Sequence, residues 1–484
     1  MSVKPVRLTG EQRKVLMLPM KGPIQIKGVA GSGKTTVALY RAKHLIDTDR
    51  NLFDPDRVIL FTFNKSLSRY LDSLRRVLGS PDGDEGEGPE FEVINFHKWA
   101  WRILFEHGLV RSNGVQNGES RLNLIDSVRR DLSSKYPDAK VLEKQREFFG
   151  EEFSWMKGKL LYDKDAYIEE RRAGRGKSDR VTRDDKALIW YVFEGYQQRL
   201  DRIKQVDFDD FAKLILDLSE TTDLSIYSHI VVDEAQDLSK AQLKAISSLV
   251  QPHTNSLTFI ADSAQRIFKS GFTWKEVGLS LAGGRTVEFK KNYRNTRPIA
   301  ALALSLLAHD RDSDEFTVSE MPARDGVLPT LNSYQSVEQE ISAVGSAVND
   351  YRRNKELGSV CVLHRTQLGV KGLINCLNSH DIPCQQINGE ADIDFNDEKI
   401  KVCTMSSIKG LEFEAVFIVG LGRYTIPLPA GFVDEDDELH VNTERRLLYT
   451  SMTRAQSVLR LSYSGEPSPF LAELDRSLYE TDSE

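Results

Sequence analysis

Cysteine is scarce: only Cys361, Cys376, Cys384 and Cys403 occur among 484 residues, all in the last third and none in a Cys-x-x-Cys pair. That spacing argues against a disulfide framework or a cysteine-built metal site and predicts reduced core thiols. No apolar run is long enough to cross a bilayer, and the opening MSVKPVRLTG lacks the apolar stretch of a secretion signal. A cytoplasmic protein with no membrane partner is expected. Positive charge is also short, with 65 Lys and Arg against 72 Asp and Glu and a net charge of -7. A uniformly basic nucleic-acid binder is thereby excluded, so any phosphate contact must come from locally placed cations. The acid gathers at Asp82 to Glu90, Asp434 to Glu438 and the terminal ETDSE, which read as solvated runs.

What is present is length and alternation. A chain of this size exceeds one hydrophobic core, so two or three domains are expected. Short apolar runs at Ile24 to Ile26 and Val58 to Phe63 alternate with helical patterns opening at Lys34 and Lys65, the pattern of a parallel sheet covered by helices. From about Trp99 to Gln205 the strand signal vanishes, and a helical insertion is predicted. Alternation resumes at Ile226 to Val232 and Leu257 to Ile260. It returns at Val360 to Leu363, Val402 to Thr404, Ala415 to Val419 and Val458 to Ser462. The predicted class is α/β, with a first unit at 1–98 and 206–290, the helical insertion at 99–205, and a second unit at 291–484.

Gly28 to Thr35 reads GVAGSGKT, after an apolar strand and opening a helix. Glycines at these positions let successive backbone N–H groups curl around a phosphate chain, with the helix N-terminus adding positive potential. Gly28, Ala30, Gly31, Ser32, Gly33, Lys34, Thr35 and Thr36 are the predicted nucleotide cradle. Lys34 is assigned to the β and γ phosphates and Thr35 to magnesium. Further on, His229 to Val232 runs into Asp233-Glu234. Adjacent carboxylates at a strand end suit Mg2+ coordination by Asp233 and water activation by Glu234, although alone they would equally fit an acidic helix start.

The remaining motifs, in chain order, resemble those of the UvrD/Rep-type helicases of superfamily 1. Leu8 to Gln12 is similar to that family's adenine-reading segment, with Gln12 as base contact. Phe61 to Lys65 and Asn95 to His97 resemble its first strand-contacting motifs, which implies nucleic-acid roles for Thr62, Asn64, Phe96 and His97. Ala261 to Phe268 resembles the motif coupling the γ phosphate to the DNA groove, through Gln265. Asn292 to Thr296 resembles the next, with Tyr293 stacking on adenine and Arg294 reaching the γ phosphate. Thr404 to Phe413 resembles the segment in which Glu412 holds the ribose, Thr404 facing the strand, and Glu444 to Ala455 resembles the last, with Arg454 as arginine finger. Each of these residues has a bland alternative as core aromatic or salt-bridge partner; it is their order that carries the resemblance.

The resemblance implies two RecA-like motor domains that hydrolyse ATP with Mg2+ in the cleft between them and move 3′ to 5′ on single-stranded or tailed DNA. Aromatic platforms for the strand are sought among Phe63, Phe96, Phe268, Phe272 and Trp274, the stacking role falling on Phe268 or Trp274. Arg171, Arg172, Arg175, Lys177, Arg180 and Arg183 form a basic cluster in the insertion. There are departures as well. Ser406 stands where the family has histidine and Ala261 where it has glycine. Only Thr366 to Ile400 fills the interval in which full-length members carry a large second insertion that touches duplex. A second expectation is therefore a regulatory ATPase subunit that senses DNA for a partner nuclease, as in phage defence, with little unwinding of its own.

Overall fold

The computed structural model describes residues 8–48, 57–63, 65–78, 90–170, 181–262, 277, 285–313, 316–353, 358–387, 399–429 and 438–481. Six strands form a first sheet in the order Glu92–Asn95, Val58–Thr62, His229–Val232, Ser256–Ala261, Ile24–Gly28 and Thr286–Phe289, all parallel. Val58–Thr62 and Ser256–Ala261 are buried along their whole length, as strands covered on both faces must be. The pleat sorts their side chains between two cores. Val58, Leu60, Val231 and Ile260 pack under the helices Lys34–Thr48 and Lys65–Val77, while Ile59, Phe61, Ile230 and Phe259 pack on the other face.

A second six-stranded parallel sheet runs in the order Cys384–Gln386, Ile400–Thr404, Val360–His364, Phe413–Ile418, Ala455–Ser464 and Thr330–Tyr334. Its two faces again carry separate cores, one containing Cys361, Leu363, Cys403 and Ile418, the other Val362, Val402, Ala415 and Phe417. All four cysteines are free thiols, with Cys361 and Cys403 buried and Cys376 and Cys384 half-buried. No described helix is long and apolar enough to cross a membrane.

Between the halves of the first unit, helices Gly118–Lys135, Arg146–Lys159, Lys164–Glu169 and Arg183–Ile203 enclose an aromatic core of Phe148, Phe149, Phe153, Trp155, Tyr167, Trp190, Phe193 and Tyr196. A two-residue parallel ribbon, Val115–Gln116 against Val206–Asp207, ties off the insertion. Below it lies a knot of charge: Lys157 Nζ sits 2.9 Å from Asp207 and 2.7 Å from Asp210, and Arg121 bridges Asp207 and Asp209 at 3.1 and 3.0 Å. Helix Phe96–Glu106, which the expected boundary at residue 99 cuts, is N-capped by Asn95 and buries Trp99, Ile103 and Leu104 in the core of the first sheet.

Candidate active site between the two sheets

Strand Ile24–Gly28 delivers the glycine-rich turn, and helix Lys34–Thr48 opens from it. Gly31 and Gly33 hold φ of +74° and +77°, the left-handed region that side chains avoid. They also have no room. A Cβ on Gly31 would lie 2.0 Å from Asn292 Oδ1, and one on Gly33 2.3 Å from Gln12 Nε2. Lys34 Nζ donates to the carbonyls of Gly28 (2.8 Å) and Val29 (2.9 Å) and to Asp262 Oδ2 (2.9 Å). Gln12 is buried against the back of the turn, where its amide donates to the Ser32 carbonyl at 2.8 Å and accepts from the Thr9 N–H at 3.0 Å. Ala30 belongs to a core cluster of the second unit, so the turn touches both units.

Asp233 and Glu234 follow the buried strand His229–Val232, and Glu234 takes a left-handed φ of +54°. Burial, and then the neighbouring Glu234 charge, push the Asp233 carboxyl up to about 7, against the Thr35 hydroxyl and the Glu234 N–H. Burial acts on Glu234 too, yet the cations Lys409, Lys34 and Arg454 together hold it below its ordinary value.

The opposing wall comes from the second unit. Arg294 forms an ion pair with Glu412 and donates to the Thr453 carbonyl at 3.3 Å. Burial would raise the Glu412 carboxyl, but Arg294 holds it below its usual range. Arg454 is 1% exposed. Burial and the nearby Arg294 lower its guanidinium to about 10, and its Nε donates to the Thr450 carbonyl at 3.0 Å. Gly31, Gly33, Lys34, Thr35, Glu234, Arg294 and Arg454 line one narrow cleft. Tyr293 is 41% exposed; its N–H donates to the Gly31 carbonyl at 2.8 Å, and its hydroxyl lies 2.9 Å from where a Gly10 Cβ would be.

The side chains of the cleft match the chemistry of phosphate oxygens and a divalent cation. Among the described residues, Ser32 Oγ, Asp233 Oδ2 and Arg294 Nε are buried there without a hydrogen-bond partner, a donor and acceptor set suited to phosphate oxygens and a cation. Thr35 and Asp233 would hold Mg2+, which supplies charge neutralisation on the phosphates when bound.

The strand-contacting candidates are less uniform. Phe96 is 2% exposed and packs against Phe61 and Trp99 in the core of the first sheet, the core alternative that stood beside its strand-contacting role. Its position at the first turn of a helix lying on the sheet turns it inward. Thr62 is buried with its hydroxyl on Ser68, and Thr404 is buried with its hydroxyl 2.9 Å from Ser407 Oγ. His97 is half-buried between the rings of Phe208 and Phe211, and burial lowers its imidazole. Asn64, Gln265, Phe268, Phe272 and Trp274, with Arg171, Arg172, Arg175, Lys177 and Arg180, lie outside the described residues.

Sequence reasoning passed over several residues that build this site. Asn292 Oδ1 accepts the Arg294 and Asn295 N–H groups (3.0 and 3.1 Å), and Asn295 donates to the Thr453 carbonyl at 3.1 Å, which ties the Arg294 segment to the end of helix Glu438–Met452. Lys409 reaches from the second unit to Asp237 and to within 3.8 Å of Glu234. A lysine inside a glycine-containing turn was the available signal for it.

The family model of the UvrD/REP helicase N-terminal domain matches residues 8–272, and that of the UvrD-like helicase C-terminal domain matches residues 287–392 and 388–466. Similar relatives include the ATP-dependent DNA helicase PcrA of Leuconostoc citreum, 24% identical over 394 residues that cover 76% of this chain and 48% of the relative. PcrA of Staphylococcus epidermidis is 25% identical over 387 residues (76% and 49%), and PcrA of Staphylococcus aureus 24% over 393 (76% and 49%). The chain thus spans about half the length of the curated relatives it matches. With both family models aligned on the two sheets that form the cleft, the chain belongs to the UvrD/REP helicase family.

Proposed function

We propose that this chain hydrolyses ATP between its two α/β units and uses the cycle to move along single-stranded DNA in the 3′ to 5′ direction. One observation carries the reading: Lys34, Thr35 and Glu234 of the first unit share a single cleft with Arg294 and Arg454 of the second. Cations from both sides are what an in-line phosphoryl transfer to water requires, because negative charge spreads over the γ oxygens as the bond to the β phosphate loosens. Lys34, Arg294 and Arg454 stabilise that charge, and Glu234 accepts a proton from the attacking water. Gln12 and Tyr293 take the adenine end and Glu412 the ribose. The test is ATP turnover by the purified chain with and without single strands, beside unwinding of 3′-tailed and 5′-tailed duplexes. Turnover indifferent to single strands sinks the translocase.

A second reading is favoured by one feature. Between Arg365 and Ile400 the described residues form only the helix Gln367–Ser379 and the edge strand Cys384–Gln386. A chain so built suits a DNA-sensing ATPase subunit of a partner nuclease, as in phage defence. Fast unwinding by the isolated chain counts against that reading.

A further inference from the structure

Lys409 sits in the turn that follows strand Ile400–Thr404 of the second unit, and it is 1% exposed. Its ammonium forms an ion pair with Asp237 and lies 3.8 Å from Glu234 Oε2, both carried by the first unit. A lysine taken out of water costs several kcal/mol unless opposite charge meets it, so this turn is stable where it is only while seated on those acids. The neighbouring Gly410 makes the seating tight. Its φ is +84°, and a Cβ there would lie 2.7 Å from Leu67 of the helix Lys65–Val77 in the first unit. Around Glu234 stand the charged groups Asp233, Lys34, Arg294, Arg454 and Lys409, with the Gln236 amide donating to Oε2. Lys34 belongs to Glu234's own unit. Arg294 is paired with Glu412, and Arg454's charge is shared among Glu234, Glu412 and Asp262. Among the described residues Lys409 is thus a cation of the second unit paired with the acidic run Asp233 to Asp237, and only four residues separate it from Thr404.

We propose that Lys409 is a positioning residue for hydrolysis: carried by the second unit into Glu234 and Asp237 of the first, it fixes the Glu234 carboxylate for water activation only when the two units are closed. The proposal rests on the functional reading above. Lys409 neither gives nor takes a proton; the water's proton goes to Glu234, and Lys409 holds the acceptor. A strand that moves the turn after Thr404 would thereby switch the base on or off without touching the nucleotide.

Two measurements on the full chain test this. The first needs no turnover: denaturation midpoints, without nucleotide, of wild type, Lys409→Met, Asp237→Asn and the double variant. The expected result is non-additivity, the double variant being no less stable than the worse single; additive shifts overturn the contact across the cleft. The second is steady-state ATP hydrolysis. Lys409→Met and Asp237→Asn should each lower kcat about 100-fold with KM for ATP within a factor of about two, and Lys409→Arg should recover at least about a tenth of wild-type kcat. A loss confined to KM, or kcat equal to wild type, overturns the proposal while leaving the ATPase reading intact. A wild-type chain that turns over no ATP overturns both.

Discussion

Gly31 offers a sharp test of how the cleft is held together. An alanine there must adopt φ of +74°, which costs about 1 to 2 kcal/mol for an L-residue. Its methyl would also stand 2.0 Å from Asn292 Oδ1. Asn292 cannot simply swing away, because that oxygen accepts the N–H groups of Arg294 and Asn295 and its amide donates to Asn295 Oδ1 at 2.8 Å. Losing the first two bonds adds about 1 kcal/mol each, which brings Gly31→Ala to roughly 3 to 4 kcal/mol. Asn292→Ala by itself removes all three bonds, for roughly 3 kcal/mol. In the double variant the clash with Asn292 has gone, leaving the backbone cost and a tight 3.0 Å approach to Arg294 Cβ, so the total is roughly 4.5 kcal/mol where simple addition gives about 6.5.

The expected outcome is thus a non-additivity of about 2 kcal/mol in denaturation measurements on the four proteins. ATP turnover adds a second axis, since displacing Asn292 displaces the backbone that carries Arg294. Both single variants should lose kcat/KM by at least about tenfold, the equivalent of 1.4 kcal/mol. Strict additivity would show that the turn and Asn292 do not press on one another. Gly31→Ala with wild-type stability would refute the reasoning outright.

Further outcomes follow from the same structure. Lys157→Met leaves Asp207 and Asp210 buried without their shared cation and should destabilise the insertion by about 3 to 5 kcal/mol, read from the fluorescence of Trp155 and Trp190 in its core; a variant as stable as wild type refutes the knot. Burial raises the Asp210 carboxyl to about 6, so the folded state holds a proton there that the unfolded chain has released. This group's contribution to stability therefore grows as pH falls from 7 towards 4, and Asp210→Asn should flatten that slope in denaturation midpoints taken across the range. Phe96→Ala should cost about 3 to 5 kcal/mol of stability as a core truncation. A fully stable variant that has lost only single-strand affinity would instead give Phe96 a strand-contacting role. Glu234→Gln should retain binding of a fluorescent ATP analogue and lose turnover by at least about 100-fold, and unchanged turnover would remove Glu234 from the chemistry.

Much of this site could be read directly from the sequence because its chemistry is local. The turn Gly28 to Thr35 contains its own strand exit, its own left-handed glycines and its own helix start, so eight consecutive residues specify the conformation of the proposed phosphate cradle without reference to the rest of the chain. The two sheets were legible for a related reason. Strands buried on both faces, such as Val58–Thr62, are apolar throughout and stand out against the helices between them. Phe96 marks where that legibility stops. An aromatic just after a strand is a stacking platform or a core residue according to which way the first turn of its helix faces, and the packing of Trp99 and Phe61 decides that, not the motif around it.

The hidden residues are those whose partners lie far along the chain. Lys34 meets Asp262 across 228 residues, Arg294 meets Glu412 across 118, and Lys409 meets Asp237 across 172. No local pattern encodes such pairs; each motif supplies one charge, and the fold supplies the other. A buried charge is nevertheless the strongest clue a chain gives to a distant contact, since burial without a partner is prohibitive. Applied to the turn Ser406 to Gly410, the argument runs one way: a lysine pressed into the interior beside a left-handed glycine must find acid on another element, and Asp237, buried a few residues past Asp233, lies on the surface that the turn meets. Arg294 is set on Glu412 within the second unit beside the turn Gly28 to Thr35, and Lys409 holds the cleft closed on Asp237 beside Glu234. Under the proposed function, a DNA strand that shifts the Lys409 turn would do so against its contact with Asp237, which would link the strand's movement to turnover of ATP.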